Sequence, residues 1–402
     1  MNIALVVTDL APSRPGGIAR VATELGRSLA ALGNRVVAYV LDRDDGTNPD
    51  TGGVELRRIP QFATPNPDYP VAGFSWRAFS RLACEIQTEK FDVIHSFNLN
   101  ALALPWFRKR LHAAGAAAVV SSYETVMMDV RAKWTEFRDR PSAATAVQIA
   151  AELYFAVAHE KSYVRAADAV VTEDHNTRLA LESLGVMSGN IRVIPSGVDL
   201  EAAASSAAPH VPAADGSRPL IGYIGRVDPR KGVQYLVRAI RTVRARIPGA
   251  RLLLVGASRH GYEKVIARQI EEEGLRDCVI PIGRVPGDIL PYYKLFDLIV
   301  IPSLSEGIPL TLGEAMASRR LVVATRLPGV VPFVQPPDLI HWADPGDADS
   351  LAGAIIGALE DPAREARVHR AEQFIQGYSW RDVARRHLDA YSFAIRNARD
   401  RA

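Results

Sequence analysis

The sequence predicts an α/β protein made of two doubly wound, Rossmann-like parallel-sheet domains facing a cleft. Three observations carry that expectation. Short apolar runs alternate with amphipathic helical periods from residue 2, the same plan restarts near residue 220, and a stretch rich in Ala, Ser and Pro separates the two blocks. At 402 residues the chain can form two domains, each with its own core.

The first block reads "NIALVV", a Gly/Pro loop, a helix, "RVVAYVL" and later "FDVIHSF". These are continuous apolar strands joined through helices, the pattern of a parallel sheet covered on both faces. The helix places Ile18, Val21, Ala22, Leu25, Leu29 and Leu32 on one stripe. The second block reads "LIGYIG", the loop "RVDPRKG", then Val233, Leu236, Val237, Ile240 and Val243 at helical spacing, followed by "RLLLVG" and "DLIVIPS". Between them, 201–219 lacks apolar periodicity and suits a linker. The expected organisation is therefore a first domain over 1–200, the linker, a second domain over 220–376, and a helical tail over 377–402.

Hydrophobic residues make up 48% and charged residues 23% of the chain, which excludes disordered and fibrous classes. The net charge of +3 is too small to argue for nucleic acid, but it permits peripheral contact with an anionic membrane surface. Cys84 and Cys278 cannot build a disulfide framework, so a reducing, cytoplasmic compartment is expected. Met1 leads directly into an apolar strand with no basic leader or cleavage site, and no apolar run has the length of a membrane span.

Ligands of doubly wound sheets bind beyond the carboxyl ends of the strands, so the loops there are informative. Arg226, then Lys231 and Gly232, follow "LIGYIG" just before a helix, an arrangement suited to a phosphate or diphosphate. In the first block Gly16 and Gly17 of "SRPGG" allow close backbone approach to a bulky anion, and His95 ends the strand "FDVIH". "SEGIPLTLGEAMA" holds Glu306 and Glu314; on one helix they would stand roughly 80° apart and about 12 Å along the axis, sharing no face. A loop entering a helix fits better, with Gly307 freeing the backbone and Pro309 at the first helical position. The two carboxylates could then hold separate hydroxyls of one long ligand, or simply form an acidic first turn. "DRD" at Asp42–Asp44 and "DAD" at Asp347–Asp349 could hold a cation but read better as acidic turns. The metalloprotease, hydrolase-elbow, Walker and paired-CxxC motifs are all missing.

These motifs, in this order, resemble the retaining family 4 of nucleotide-sugar-dependent glycosyltransferases, two-domain enzymes of the GT-B fold. "GYIGRVDPRKG" is similar to the family's glycine, arginine and lysine loop, "GRVP" at 283–286 to its base-contacting turn, and "PSLSEGIPLTLGEAMA" to its signature with two glutamates. "PGGIARVATELGRSLAALG", "FDVIHSF", "IRVIPSGVDL" and "YSW" resemble the first domain's glycine loop, its strand ending in histidine, the hinge and the start of a last helix that crosses back. Phe97 stands where the family often has a second histidine, Ser196 where asparagine is common, and Arg319 and Leu321 where glycine and proline are usual. Pro332 replaces a frequent glutamate, and the histidine commonly found near Tyr123 and Glu124 is lacking.

The resemblance implies that Arg226 and Lys231 hold the donor's diphosphate, that Arg284 and Val285 lie by the base, and that Glu314 takes the ribose hydroxyls. It implies Glu306 on the hydroxyls of the transferred sugar, the backbone of Gly307, Ile308, Pro309, Leu310 and Thr311 near sugar and phosphates, Gly16 and Gly17 approaching the diphosphate, and His95 facing the reacting sugar. It further implies a metal-independent transfer with retained configuration, no cofactor, a UDP, GDP or ADP sugar as donor, and a sugar, lipid-linked or small-metabolite acceptor. A phosphorylase or nucleotide-sugar epimerase on the same scaffold, and a nucleotide-binding protein without turnover, are the competing readings.

Overall fold

The computed structural model describes residues 1–11, 16–42, 51–60, 71–123, 125–126, 130, 146–147, 149–150, 153–154, 156–214, 216, 218–258, 261–285 and 287–401. It divides into two compact units: Met1–Gly197 with Trp380–Ala402, and Val198–Ser379.

The first unit holds a seven-stranded parallel sheet of order β3-β2-β1-β4-β5-β6-β7. Its strands are β1 Asn2–Val6, β2 Arg35–Leu41, β3 Glu55–Ile59, β4 Val93–Phe97, β5 Ala117–Ser121, β6 Ala169–Thr172 and β7 Ile191–Val193. β1, β2 and β4 coincide with the apolar runs expected as strands. β3, sequence ELRRI, does not read as one, because it is the sheet's edge and its exposed side is charged. There Arg57 engages Glu55, Glu85 and Glu89, with the Tyr39 hydroxyl also on Glu85. Helix α1, Gly17–Ala31, buries Val21, Ala22, Leu25 and Leu29 as its periodicity predicts. Helices α2, Val71–Glu85, and α3, Leu104–Ala113, contribute Phe74, Phe79, Leu82 and Leu111 to the core on one side of the sheet.

The C-terminal helix, Trp380–Asp400, groups with the first unit and packs on α1, β5 and β6 through Val383, Ala384, Ala390, Tyr391 and Ala394. Its deepest polar contact is with β4. The His95 ring is fully buried, with Nδ1 2.7 Å from the Tyr391 hydroxyl and Nε2 2.8 Å from the Ser121 hydroxyl, and it stacks on Phe97. Burial first, and then the neighbouring His387, hold the pKa of His95 well below its ordinary value, so the ring is a neutral donor and acceptor. His95 thus links β4 to β5 and to the last helix. Its partner Tyr391 lies 296 residues away in sequence.

The second unit holds a six-stranded parallel sheet of order β10-β9-β8-β11-β12-β13. These are β8 Leu220–Ile224, β9 Arg251–Val255, β10 Val279–Gly283, β11 Leu298–Ile301, β12 Leu321–Thr325 and β13 His341–Ala343. Val233, Leu236, Val237, Ile240 and Val243 are all buried on one face, as their spacing predicts. The stretch 201–219, expected as a linker, is in part built into this unit. Asp199 caps the short helix Leu200–Ser205, and Ala203 and Ala214 lie in the core, where small side chains pack without helical periodicity.

Helix Leu310–Ala317 is followed by Arg319 at φ +58, a left-handed backbone that glycine adopts without a Cβ clash. Arg319→Gly is expected to raise the stability of the chain by about 0.5–1 kcal/mol, less any loss of the exposed contact to Glu372 at 3.5 Å, measurable by urea unfolding.

His387 on the C-terminal helix is buried, donates from Nδ1 to the Val383 carbonyl at 2.9 Å, and leaves Nε2 without a partner among the described residues. Burial lowers its pKa to about 4 from 6.5. The unfolded chain therefore binds the extra proton first, and stability contributed by the neutral ring falls as pH drops from 6.5 toward 4, by on the order of 3 kcal/mol. Thermal unfolding should show this decline, and His387→Leu should lessen it between pH 6.5 and about 5 without abolishing it, because buried His95 contributes a decline of the same sign.

Candidate functional site

In the second sheet the strand order reverses between β8 and β11, and the loops beyond the carboxyl ends at such a switch point are where doubly wound sheets bind ligands. Here those loops are clasped together. The Leu304 N–H donates to the Arg230 carbonyl at 2.8 Å, and the Thr311 hydroxyl donates to the Ile224 carbonyl at 3.3 Å. Gly232, at φ +70, lies so close to the second loop that a Cβ would sit 1.9 Å from the Pro302 oxygen. No other residue fits there.

That approach brings Lys231 onto Glu306, with Nζ 2.6 Å from the carboxylate. The Ser303 hydroxyl also donates to Glu306, and Thr325 fixes Ser303 through a 2.6 Å bond to its carbonyl. Burial alone would raise the pKa of Glu306. The Lys231 charge, the bonds from Lys231 and Ser303 and the more distant Arg230 outweigh it and hold the carboxyl below its ordinary value. Asp228 accepts from the Lys231 N–H at 3.2 Å and pairs with Arg226 at 3.2 Å, so one buried carboxylate organises both cations. The Arg226 guanidinium itself is 39% exposed, enough to meet a ligand from solvent.

Glu314 lies within the helix and is buried, its carboxylate accepting from the Tyr293 hydroxyl at 2.6 Å. Pro309 is the residue before that helix, with extended backbone, one position earlier than the first-turn place expected for it; Leu310 opens the helix. Gly307 and Ile308 are buried in the same turn, beside Thr311. Arg284 is exposed and Val285 half-buried after β10, and Pro286 lies outside the described residues.

The sequence-predicted residues of the second unit thus assemble into one locality in part: Arg226, Lys231 and Glu306 are joined through Asp228 and direct pairing. Asp228, Ser303 and Tyr293 were missed. The first carried a signal, since an aspartate before proline is a strong helix-cap sequence; Ser303 and Tyr293 carried none.

In the first unit Gly16 and Gly17 are exposed, and among the described residues a Cβ at either would meet nothing within 4 Å. Asn98, directly after β4, adopts φ +46 and accepts from the Tyr123 N–H at 3.0 Å, tying the loop after β4 to that after β5. Glu124, Arg43, Asp44 and the start of "SRPGG" lie outside the described residues. Asp347 of "DAD" caps a helix, accepting from Asp349 and Ser350 N–H groups, which explains those acids as a turn. Among the described residues no three His, Cys, Asp or Glu side chains gather to hold a metal, and no helix is long and apolar enough to cross a membrane.

Two parallel-sheet α/β units with a charged switch point in the second define a protein of GT-B architecture. The solved sucrose-phosphate synthase of Thermosynechococcus elongatus superposes with a TM-score of 0.75 at 23% identity, over 97% of this chain and 98% of that one. HepE of Anabaena, solved in complex with UDP-glucose, gives a TM-score of 0.72 at 17% identity, over 98% and 99% of the two chains. Residues 15–202 match the model of glycosyltransferase family 4 and residues 218–361 that of glycosyl transferases group 1. The chain belongs to this glycosyltransferase family. It is 33% identical over 176 residues to a lipopolysaccharide 1,2-N-acetylglucosaminetransferase of Salmonella typhimurium, 41% of this chain and 45% of that one. The chain spans about half the length of the curated relatives it matches.

Because Glu306 is 9% exposed and Lys231 18%, removing one partner leaves a poorly solvated charge. Lys231→Met is expected to destabilise the protein by about 3 kcal/mol at neutral pH. In the parent, stability from the depressed Glu306 pKa is present above the ordinary carboxyl value and lost as pH falls; in the variant, burial raises that pKa and reverses the sign. The gap between parent and variant in chemical denaturation should therefore narrow as pH falls toward 4.

Proposed function

We propose that this protein transfers a sugar from a nucleoside diphosphate donor to an acceptor hydroxyl, with the donor held at the β8/β11 switch point. The observation that carries the reading is the set of Arg226, Lys231 and Glu306 fixed around Asp228 there. Family membership and the UDP-glucose bound by HepE, a protein of the same fold, support it. The name of the Salmonella relative supports a hexosyl or N-acetylhexosaminyl donor.

Arg226 and Lys231 take the diphosphate. Binding it divides the Lys231 ammonium between phosphate and Glu306, and frees part of the Glu306 carboxylate to accept from sugar hydroxyls. Glu314, held by Tyr293, accepts from the ribose hydroxyls; the turn at Gly307–Thr311 supplies backbone N–H groups, and Arg284 and Val285 border the base.

In the reaction the bond between the anomeric carbon and the phosphate oxygen breaks, and its electron pair stays on the diphosphate. The acceptor oxygen bonds to the anomeric carbon from the same face, and its proton passes to the departing phosphate. Configuration is retained. Negative charge grows beside Arg226 and Lys231, where fixed cations lower the barrier without a metal ion or other cofactor. The unpaired cysteines, exposed Cys84 and buried Cys278, suit a cytoplasmic enzyme.

Calorimetric titration with UDP, GDP and ADP, without added metal, should find one that binds tightly and is weakened at least about tenfold by Arg226→Ala or Lys231→Ala, since charge-assisted contacts are lost. Glu314→Gln should weaken that nucleotide but spare pyrophosphate. Binding of none, or binding indifferent to both cations, overturns the donor site; a product anomer inverted relative to the donor overturns retention.

A further inference from the structure

On α2 and α3 of the first unit, four aromatic rings run from core to surface. Phe79 is fully buried; Phe107 stacks on it at 6.0 Å; Trp76 meets Phe107 edge-to-face at 5.4 Å; and Trp106 meets Trp76 at 5.6 Å. Trp76 is 48% and Trp106 63% exposed, large values for the largest side chain. Trp106, Lys109 and Arg110 are spaced i, i+3 and i+4 on α3, and so share a face. α3 has no acidic residue, and neither Lys109 nor Arg110 forms an ion pair among the described residues. Arg77 is exposed next to Trp76.

We propose that this Trp76–Trp106 surface is a docking site for an anionic membrane. Its chemistry is that of the interface: indole rings with an apolar body and one N–H, bordered by cations with no acid on α3 to neutralise them. The net charge of the chain is only +3, so this local excess is a feature of the surface rather than of the whole protein. Two tryptophans are far less than the roughly 800 Å² that each side of a stable protein interface buries, whereas insertion beside phosphate headgroups requires no such area. The proposal stands on the first unit's surface alone and does not depend on the sugar-transfer reading.

The test uses the full chain with phosphatidylcholine vesicles, with and without phosphatidylglycerol, in a flotation assay. Binding should require phosphatidylglycerol and fall as salt is added. Lys109→Glu with Arg110→Glu should weaken it about tenfold or more, and so should Trp76→Ala with Trp106→Ala. Brominated acyl chains should quench the fluorescence of the unsubstituted protein, a readout that needs no variant to fold. Absence of binding to phosphatidylglycerol vesicles, lack of quenching, or binding unchanged in both double variants overturns the proposal. Self-association abolished by the tryptophan variants, without vesicle binding, overturns it in favour of a contact between copies.

Discussion

The architecture of the β8/β11 switch point depends on one steric constraint: at residue 232 the backbone passes so near the Pro302 carbonyl that a Cβ cannot be accommodated. A side chain there would push the loop after β8 away from the loop after β11. The separation need not be large to matter, since an ammonium and a carboxylate in contact lose most of their attraction once water enters between them. The pairing of Lys231 with Glu306 is thus a consequence of backbone proximity, and Asp228 adds direction by fixing the amide of Lys231 and the guanidinium of Arg226.

The same logic of distant elements held by few contacts applies to the last helix. Its apolar stripe supplies burial against the first sheet, while the Tyr391 hydroxyl supplies register by meeting the His95 ring of β4. A neutral imidazole suits this place, because it offers one donor and one acceptor at no cost of a buried charge.

Much of this was legible in the residues. Continuous apolar strands and helical stripes such as Val233–Val243 translate directly into burial, because periodicity is local and sheet formation follows it. Lys231, Glu306 and Arg226 were legible as candidate ligands because loops after strands are where doubly wound sheets keep them. What was not legible was set by neighbours far along the chain. β3 is charged because it is an edge, and nothing in ELRRI announces an edge. The contacts of His95 with Ser121 and Tyr391 could not be read from the strand that ends in it, because both partners come from other elements. The Ala-rich stretch after Asp199 looked like a linker because small residues pack without leaving a period.

The second unit is one unbroken segment, Val198–Ser379, lying in sequence between the two segments of the first unit, Met1–Gly197 and Trp380–Ala402. At the crossing, the Val198 N–H donates to the Tyr378 carbonyl at 2.9 Å, and Gly197 leaves no room for a Cβ beside Trp380. During synthesis the order of completion is therefore inverted. The segment begun second has all its strands once residue 379 has left the ribosome, whereas β4 must wait for helix Trp380–Asp400 before Tyr391 can reach His95. A nascent chain halted after residue 379 and before that helix would carry a complete second unit and a first sheet whose β5 and β6 lack the helix that packs on them.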